Sequence, residues 1–265
     1  MIKQFAKVAI MASLLGNAPP ERAIGSDAQI VELRQYQMVE GTRDAFIDFF
    51  EAKLLEPQEQ DGMRLVGQFR DHADKDRFTW IRSFPDMASR EKSLNAFYFG
   101  PVWKANRDTA NPMLLDNDNV LLLKPASIEL AFGPAQPRAP AGTPLKENGA
   151  VLAVIEYLWK SPDEGFAAFF QQAMKPAFEK GGLEVLGAYI PANEANTFPQ
   201  LPVREEKKLL IWFVRGDSHD QLVRALKKVN QTAHWKTSIA PSLQQFEERE
   251  SQQLWLDPTP RSATR

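Results

Sequence analysis

Cysteine is absent from the 265-residue chain, which removes disulfides, thiolate nucleophiles, zinc–thiolate sites and iron–sulfur clusters together. Histidine is nearly absent: His72, His219 and His234 stand far apart in sequence, and none has a carboxylate or second histidine at ligand spacing, so no metal site is expected. Neither sign of charge dominates. Lys and Arg total 32 against 34 Asp and Glu, a formal net charge of −2, which offers no electrostatic footprint for nucleic acid or an anionic membrane. The longest uncharged apolar run near the start covers residues 8–15, far below the ~20 residues of a membrane span. Gly-x-Ser-x-Gly, Gly-x-Gly-x-x-Gly and phosphate-cradling loops are missing as well, so no nucleophile elbow and no nucleotide cofactor is expected. What is present is ordinary globular material, 43% hydrophobic and 25% charged, enough for one large domain or two small ones.

The first residues admit two readings. Lys3 and Lys7 precede the short apolar run, and Gly16-Asn17-Ala18 places small residues at both cleavage-site positions, the outline of a weak secretory signal peptide over residues 1–18. The other reading is an N-terminal extension, residues 1–28, ahead of the first strand. Cytoplasmic and exported locations both fit.

An internal repeat organises the rest. Phe46, Phe49 and Phe50 recur as Phe166, Phe169 and Phe170, an offset of 120 that also carries Gly62 to Gly182 and Gly67 to Gly187. Further on, Trp80 pairs with Trp212 and Trp103-Lys104 with Trp235-Lys236, both at 132. The 12 extra residues fall between Ile190 and Lys207, where Pro191, Asn193, Asn196, Pro199 and Pro202 mark a long loop. In the first copy, strands are predicted over residues 30–38, 64–71, 77–84 and 119–123. One helix starts after Thr42 and another after Asp86, with an irregular stretch at Gly100-Pro101. In the second copy, strands are predicted over 151–159, 183–190, 208–215 and 252–256, with helices starting at Pro162 and Asp217. The order β-α-β-β-α-β is the ferredoxin-like unit. The fold class is therefore α+β: two tandem ferredoxin-like units, 29–124 and 150–257, joined by a Pro-rich linker at 125–149 and followed by a tail at 258–265. A unit with helices on one sheet face leaves the other bare, and two units can bury their bare faces in a closed barrel of the dimeric α+β type.

The copies differ in polarity. Strand one carries Glu32, Arg34 and Tyr36 on one face, set against Ala153, Ile155 and Tyr157. Gln68 and Arg70 on strand two correspond to Ala188 and Ile190, and Trp80 and Arg82 on strand three to Trp212 and Val214. Because side chains alternate with period two, each set shares one side of its strand. One reading is a lumen that is half polar and half apolar, with the arginines facing an apolar wall and suited to an amphipathic ligand with an anionic or carbonyl end. The alternative is that these charges meet solvent, or that Glu32 pairs with an arginine across the sheet.

The runs Trp80-Ile-Arg82-Ser-Phe84, Ala88-Ser-Arg90, Phe97-Tyr98-Phe-Gly100-Pro101-Val-Trp103-Lys104 and Asn119-Val-Leu-Leu-Leu123, with the opening Glu32-Leu33-Arg34-Gln-Tyr36 and Gly41, resemble the signature of the NIPSNAP family. The second unit resembles a degenerate copy without the arginines. The resemblance implies the dimeric α+β barrel superfamily and carries no settled reaction. Families on that barrel include cofactor-free monooxygenases, haem-dependent peroxidases and small-lactone isomerases, an analogy of fold alone. For haem, only His234 is a remote axial candidate, and no cofactor is expected.

Arg34, Tyr36, Arg70, Trp80, Arg82 and Tyr98 are the candidate ligand-binding residues, and Glu32 is the acid/base candidate. Trp103 reads as structural, since both copies keep it. Three functions follow: a barrel cavity binding a small amphipathic molecule, a cofactor-independent oxygenase or isomerase in the same cavity, or a protein-interaction module. A polar lumen favours the first two and a filled lumen the third. The chain is either a homodimer or a monomer containing an intramolecular pseudo-dimer.

Overall fold

Alternation of side chains in a closed sheet fixes what each strand must carry: one face looks into the barrel and the other must be covered by helices. The computed structural model describes residues 30–134, 136–144, 146 and 149–264; the signal-peptide reading lies outside them. The first half runs β1 (Ile30–Met38), α1 (Arg43–Lys53), α2 (Leu55–Gln60), β2 (Arg64–Asp71), β3 (Arg77–Phe84), α3 (Met87–Tyr98), α4 (Pro101–Ala110), the short β4 (Leu114–Asp116) and β5 (Val120–Pro125). The second runs β6 (Ala150–Leu158), α5 (Phe166–Phe169), a π-helical turn Phe170–Met174, α6 (Lys175–Lys180), β7 (Glu184–Pro191), β8 (Leu209–Gly216), α7 (His219–Gln231), the π-helical turn Trp235–Ile239, α8 (Ala240–Phe246) and β9 (Glu247–Pro258).

Each half forms a four-stranded antiparallel sheet, β5-β1-β3-β2 and β9-β6-β8-β7. Two short ladders join them. Phe69, Arg70 and Asp71 of β2 pair with Pro258, Asp257 and Leu256 of β9, and Leu123, Lys124 and Pro125 of β5 pair with Pro191, Ile190 and Tyr189 of β7. The result is a closed antiparallel barrel of eight strands, with β4 added at one end of β1. The class expected from the repeat is the class observed, and closure within one chain leaves those eight strands no free edge.

Three apolar layers follow. Val31, Leu33, Ile81, Val151, Ile155, Phe213 and their neighbours from both halves fill the barrel interior. Phe46, Phe50, Leu94 and Phe97 cover the outer face of the first sheet, and Phe166, Phe170, Phe178 and Leu222 that of the second. The polar set of the first half does not face the lumen. Tyr36 and Trp80 belong to the layer under α1 and α3, while the lumen side of β1 carries Val31 and Leu33. The comparison of first strands is also one residue out of register. Leu152 and Val154 lie in the outer layer and Ala153, Ile155 and Tyr157 in the lumen, so Glu32, Arg34 and Tyr36 correspond to Leu152, Val154 and Glu156. A slip of one residue exchanges faces, and the offset of 120 read from the phenylalanines holds here too.

Local signals act as expected with a few exceptions. The Asp86 side chain accepts from the Ser89 amide and caps α3. Thr42 precedes α1, but its hydroxyl donates to the carbonyls of Val39 and Met113 and caps nothing. Gly100-Pro101 begins a helix where an irregular stretch was expected, because proline at the first helical position has no amide to leave unpaired. Ser218 caps α7 in place of Asp217, and the helix expected at Pro162 starts at Phe166.

The long loop after β7 crosses to the other half: Ala192, Phe198 and Leu201 are buried in the first half's outer layer. Beyond β9 the chain also returns to the first half. Thr259 donates to the Glu51 carboxylate, Arg261 pairs with Glu56, and the Thr264 hydroxyl donates to the Val66 carbonyl.

Gly67 and Gly187, equivalent in the repeat, each sit at an irregularity in the pairing, β2 with β3 and β7 with β8. A β-carbon on Gly187 would lie 2.6 Å from the Leu130 carbonyl oxygen, which is backbone and cannot step aside alone. Gly187→Ala is therefore expected to destabilise the barrel by about 1–3 kcal/mol, seen as a lowered urea midpoint with an unchanged m-value.

Candidate functional site

Glu32 occupies the centre of the polar set. It lies on β1, opposite Arg82 on β3 and two residues from Arg34, so strand geometry alone brings both guanidiniums to it. Arg34 Nη1 and Arg82 Nε both donate to Glu32 Oε2 at 2.7 Å, and Arg90 Nε, reaching down from α3, donates to Oε1 at 2.7 Å. All four side chains are fully buried. Burial pushes the Glu32 carboxyl up, but Arg82, then Arg34 and Arg90, outweigh it and hold the group far below the ordinary carboxylate range. One carboxylate thus faces three guanidiniums. The remaining partners are neutral: Gln58 Oε1 accepts from Arg82 at 3.2 Å, Asn196 Oδ1 from Arg90 at 3.0 Å, and the Tyr36 hydroxyl from Arg34 Nε at 2.9 Å. Arg82 Nη2 and Arg90 Nη2 are buried without a hydrogen-bond partner among the described residues.

Beside this cluster lies a cavity of about 370 Å³, between the outer face of the first sheet and its helices. Tyr36 and Trp80 form its floor, Phe46, Phe50 and Trp103 part of its walls, and Phe198 comes from the crossing loop. Tyr98 also borders it, in edge contact with Trp103 at 5.2 Å. The Arg82 guanidinium lies 5.1 Å from the Trp80 ring centroid and 5.9 Å from that of Tyr98, so the cationic charge sits directly behind the aromatic lining. The Trp80 indole N–H is buried and makes no hydrogen bond among the described residues. Because Tyr36 accepts from Arg34, its own proton remains for an acceptor in the cavity, and burial pushes its pKa up, which keeps it a donor.

Of the candidate residues, Glu32, Arg34, Tyr36, Trp80, Arg82 and Tyr98 come together in this region, with only Tyr36, Trp80 and Tyr98 on the cavity itself. Arg70 does not join them: its Nε donates to Asp44 at the start of α1, 2.9 Å away. The expected pairing of Glu32 with an arginine occurs, three times over. Sequence reasoning missed Arg90, whose position within Ala88-Ser-Arg90 was its only signal, and Asn196, which lies in the insertion. It also separated two histidines that the fold stacks: His72 and His219 rings lie 4.3 Å apart, and His72 Nδ1 is 3.1 Å from Asp257. Among the described residues, no three His, Asp or Glu side chains gather as metal ligands. His234 is exposed.

At the equivalent place in the second half, Glu156 replaces Tyr36. Trp212 Nε1 donates to its Oε1 at 2.8 Å, and burial, with Glu247 nearby, pushes its pKa up to about 7.

A closed antiparallel barrel of two βαββαβ halves, with helices outside and a cavity between helices and sheet in each half, defines a dimeric-type α+β barrel protein whose two sheets come from one chain. Residues 31–128 match the NIPSNAP family model. Solved structures share the whole fold. A monooxygenase-like protein from Lactobacillus acidophilus NCFM is 13% identical with a TM-score of 0.57, over 87% of this chain and 94% of that one. An anthrone oxidase-like protein is 9% identical with a TM-score of 0.50, over 89% and 94%. At such identities the likeness is of fold alone. No curated protein matches the sequence.

Glu32→Gln leaves three buried guanidiniums around a neutral amide and is expected to cost about 3–5 kcal/mol at pH 7, measured by urea unfolding. Because the folded pKa of Glu32 is depressed, its contribution is present above the ordinary carboxylate range and is lost on acidification. The wild type should therefore lose more stability than Glu32→Gln as pH falls below about 4.5. Glu156 behaves oppositely. With its pKa raised from 4.5 to about 7, the folded state holds the proton longer, so stability falls as pH rises through that window, by on the order of 3 kcal/mol. Unfolding of Glu156→Gln between pH 5 and 8 should show that slope removed.

Proposed function

We propose that the cavity of the first half binds a small amphipathic molecule through a carbonyl or anionic oxygen. The observation that carries this reading is the buried surplus of positive charge behind the cavity, three guanidiniums against one carboxylate. Uncompensated buried charge is costly, and an oxygen bearing negative charge at the cavity floor offsets it. The Tyr36 O–H and the Trp80 N–H are the donors that meet such an oxygen, each with a guanidinium behind it, and the aromatic walls take the apolar part of the ligand. Glu32 fits the role of holding Arg34, Arg82 and Arg90 in place better than that of a base, since both its oxygens are engaged and its proton affinity is low. Apolar side chains of both halves cluster in the barrel interior, which by itself favours an interaction module; the polar, ligand-sized space that supports binding lies outside the lumen. One chain completes the site, so no second copy is required, and no described helix is long and apolar enough to cross a membrane.

The same donors favour a second reading, a cofactor-independent oxygenase or isomerase. Two buried hydrogen-bond donors stabilise negative charge on an enolate oxygen, and solved structures of this fold are described as a monooxygenase and an anthrone oxidase-like protein. A protein-interaction module stands as the third reading.

Native mass spectrometry of the protein purified without added ligand, with its denatured mass alongside, reports bound mass and chain count together. Binding of 2-naphthoate, followed by tryptophan fluorescence, then tests the donor: Tyr36→Phe should weaken it roughly tenfold or more. A protein that carries no bound mass and ignores naphthoate would turn the reading to the interaction module.

A further inference from the structure

The second half has a cavity of its own, about 460 Å³, under the outer face of β6 and β8 and beside α7. Its chemistry is the inverse of the first. Leu152, Val154, Val214 and Leu222 stand where Glu32, Arg34, Arg82 and Arg90 stand, so every charge of the cluster is gone. In place of the Tyr36 hydroxyl is the Glu156 carboxyl, 2% exposed and bordering the cavity. Trp212 occupies Oε1, while Oε2 is buried with no hydrogen-bond partner among the described residues. The other titratable groups on the cavity are Glu247, at the start of β9, and the exposed Lys227 of α7. Trp212, Trp235 and Trp255 line it, with Phe178 between Trp212 and Trp235 at centroid distances of 4.8 and 5.5 Å.

We propose that this second cavity is a binding site for an organic ammonium ion carried on an apolar or aromatic frame. The ammonium donates to Glu156 Oε2, the acceptor the protein leaves unused, and its charge relieves the repulsion between Glu156 and Glu247. Indole rings around a cation add attraction through their π faces, and the leucine, valine and methionine walls take the hydrocarbon. A neutral alcohol of the same shape keeps the apolar contacts and loses the charge. An anion meets two carboxyls, so the two halves select ligands of opposite sign.

The test is calorimetric titration of the full-length protein with 2-phenylethylamine, with 2-phenylethanol as the neutral match, at pH 6 and 8. The amine is protonated at both values, so only the protein's groups change. Binding of the amine should tighten roughly tenfold from pH 6 to 8 as Glu156 ionises, and the alcohol should bind far more weakly with no such dependence. Glu156→Gln, nearly isosteric, should abolish the pH dependence and most of the affinity, while Tyr36→Phe, in the other cavity, should leave amine binding unchanged. Equal binding of amine and alcohol, an amine affinity insensitive to pH, or no amine binding at either pH would each overturn the proposal.

Discussion

Closure of the sheet is the constraint on which everything else rests. Two ladders of three residue pairs, β2 with β9 and β5 with β7, turn two open sheets into one barrel. Once the barrel is closed, every second residue of eight strands is committed to an interior packed with side chains from both halves. The two cavities described above lie on the outer faces, in the spaces that helices leave over the sheet. The buried charges of β1 and β3 are there because α3 supplies Arg90 from above, completing a cluster that a strand pair alone would leave open to solvent.

The repeat makes the two outer faces a controlled comparison. Backbone, tryptophan and the glycine beside the bulge are held in common, while the side chains at a few equivalent positions decide the local field. Tyr36 and Glu156 occupy one place under one tryptophan. In the first case the indole proton has no acceptor among the described residues and a guanidinium backs the hydroxyl; in the second the indole proton is consumed by the carboxyl itself. Most of the change in polarity between the halves comes from five substitutions on a conserved frame.

Much of the architecture was legible because it depends on spacing. Strand periods, the Asp86 cap and the two constant offsets gave the order of elements, the fold class and the residues that share a face. What spacing does not encode is which face turns inward. Glu32, Arg34 and Tyr36 are recognisable as neighbours from their alternation, yet alternation is symmetric with respect to the sheet, and the lumen was the wrong side. The same ambiguity allowed a one-residue slip that paired Tyr36 with Tyr157 and hid Glu156. Contacts between distant segments were the other blind spot: Arg90 to Glu32, Asn196 to Arg90, and His72 against His219 join residues 58, 106 and 147 positions apart.

The loop that crosses from the second half to cover the first cavity is present once, and its counterpart between β2 and β3 is a tight turn. A barrel assembled from two identical chains has no means of doing this, since any insertion in one subunit appears in the other and both cavities would be roofed alike. Fusion of the halves lifts that symmetry. Asn196 and Phe198 belong to one copy by sequence and to the other by location, so the roof of the first site could diverge without altering the floor beneath it. The long loop is thus a record of what covalent linkage made available: two compartments in one molecule that evolve as separate pockets while sharing a single core.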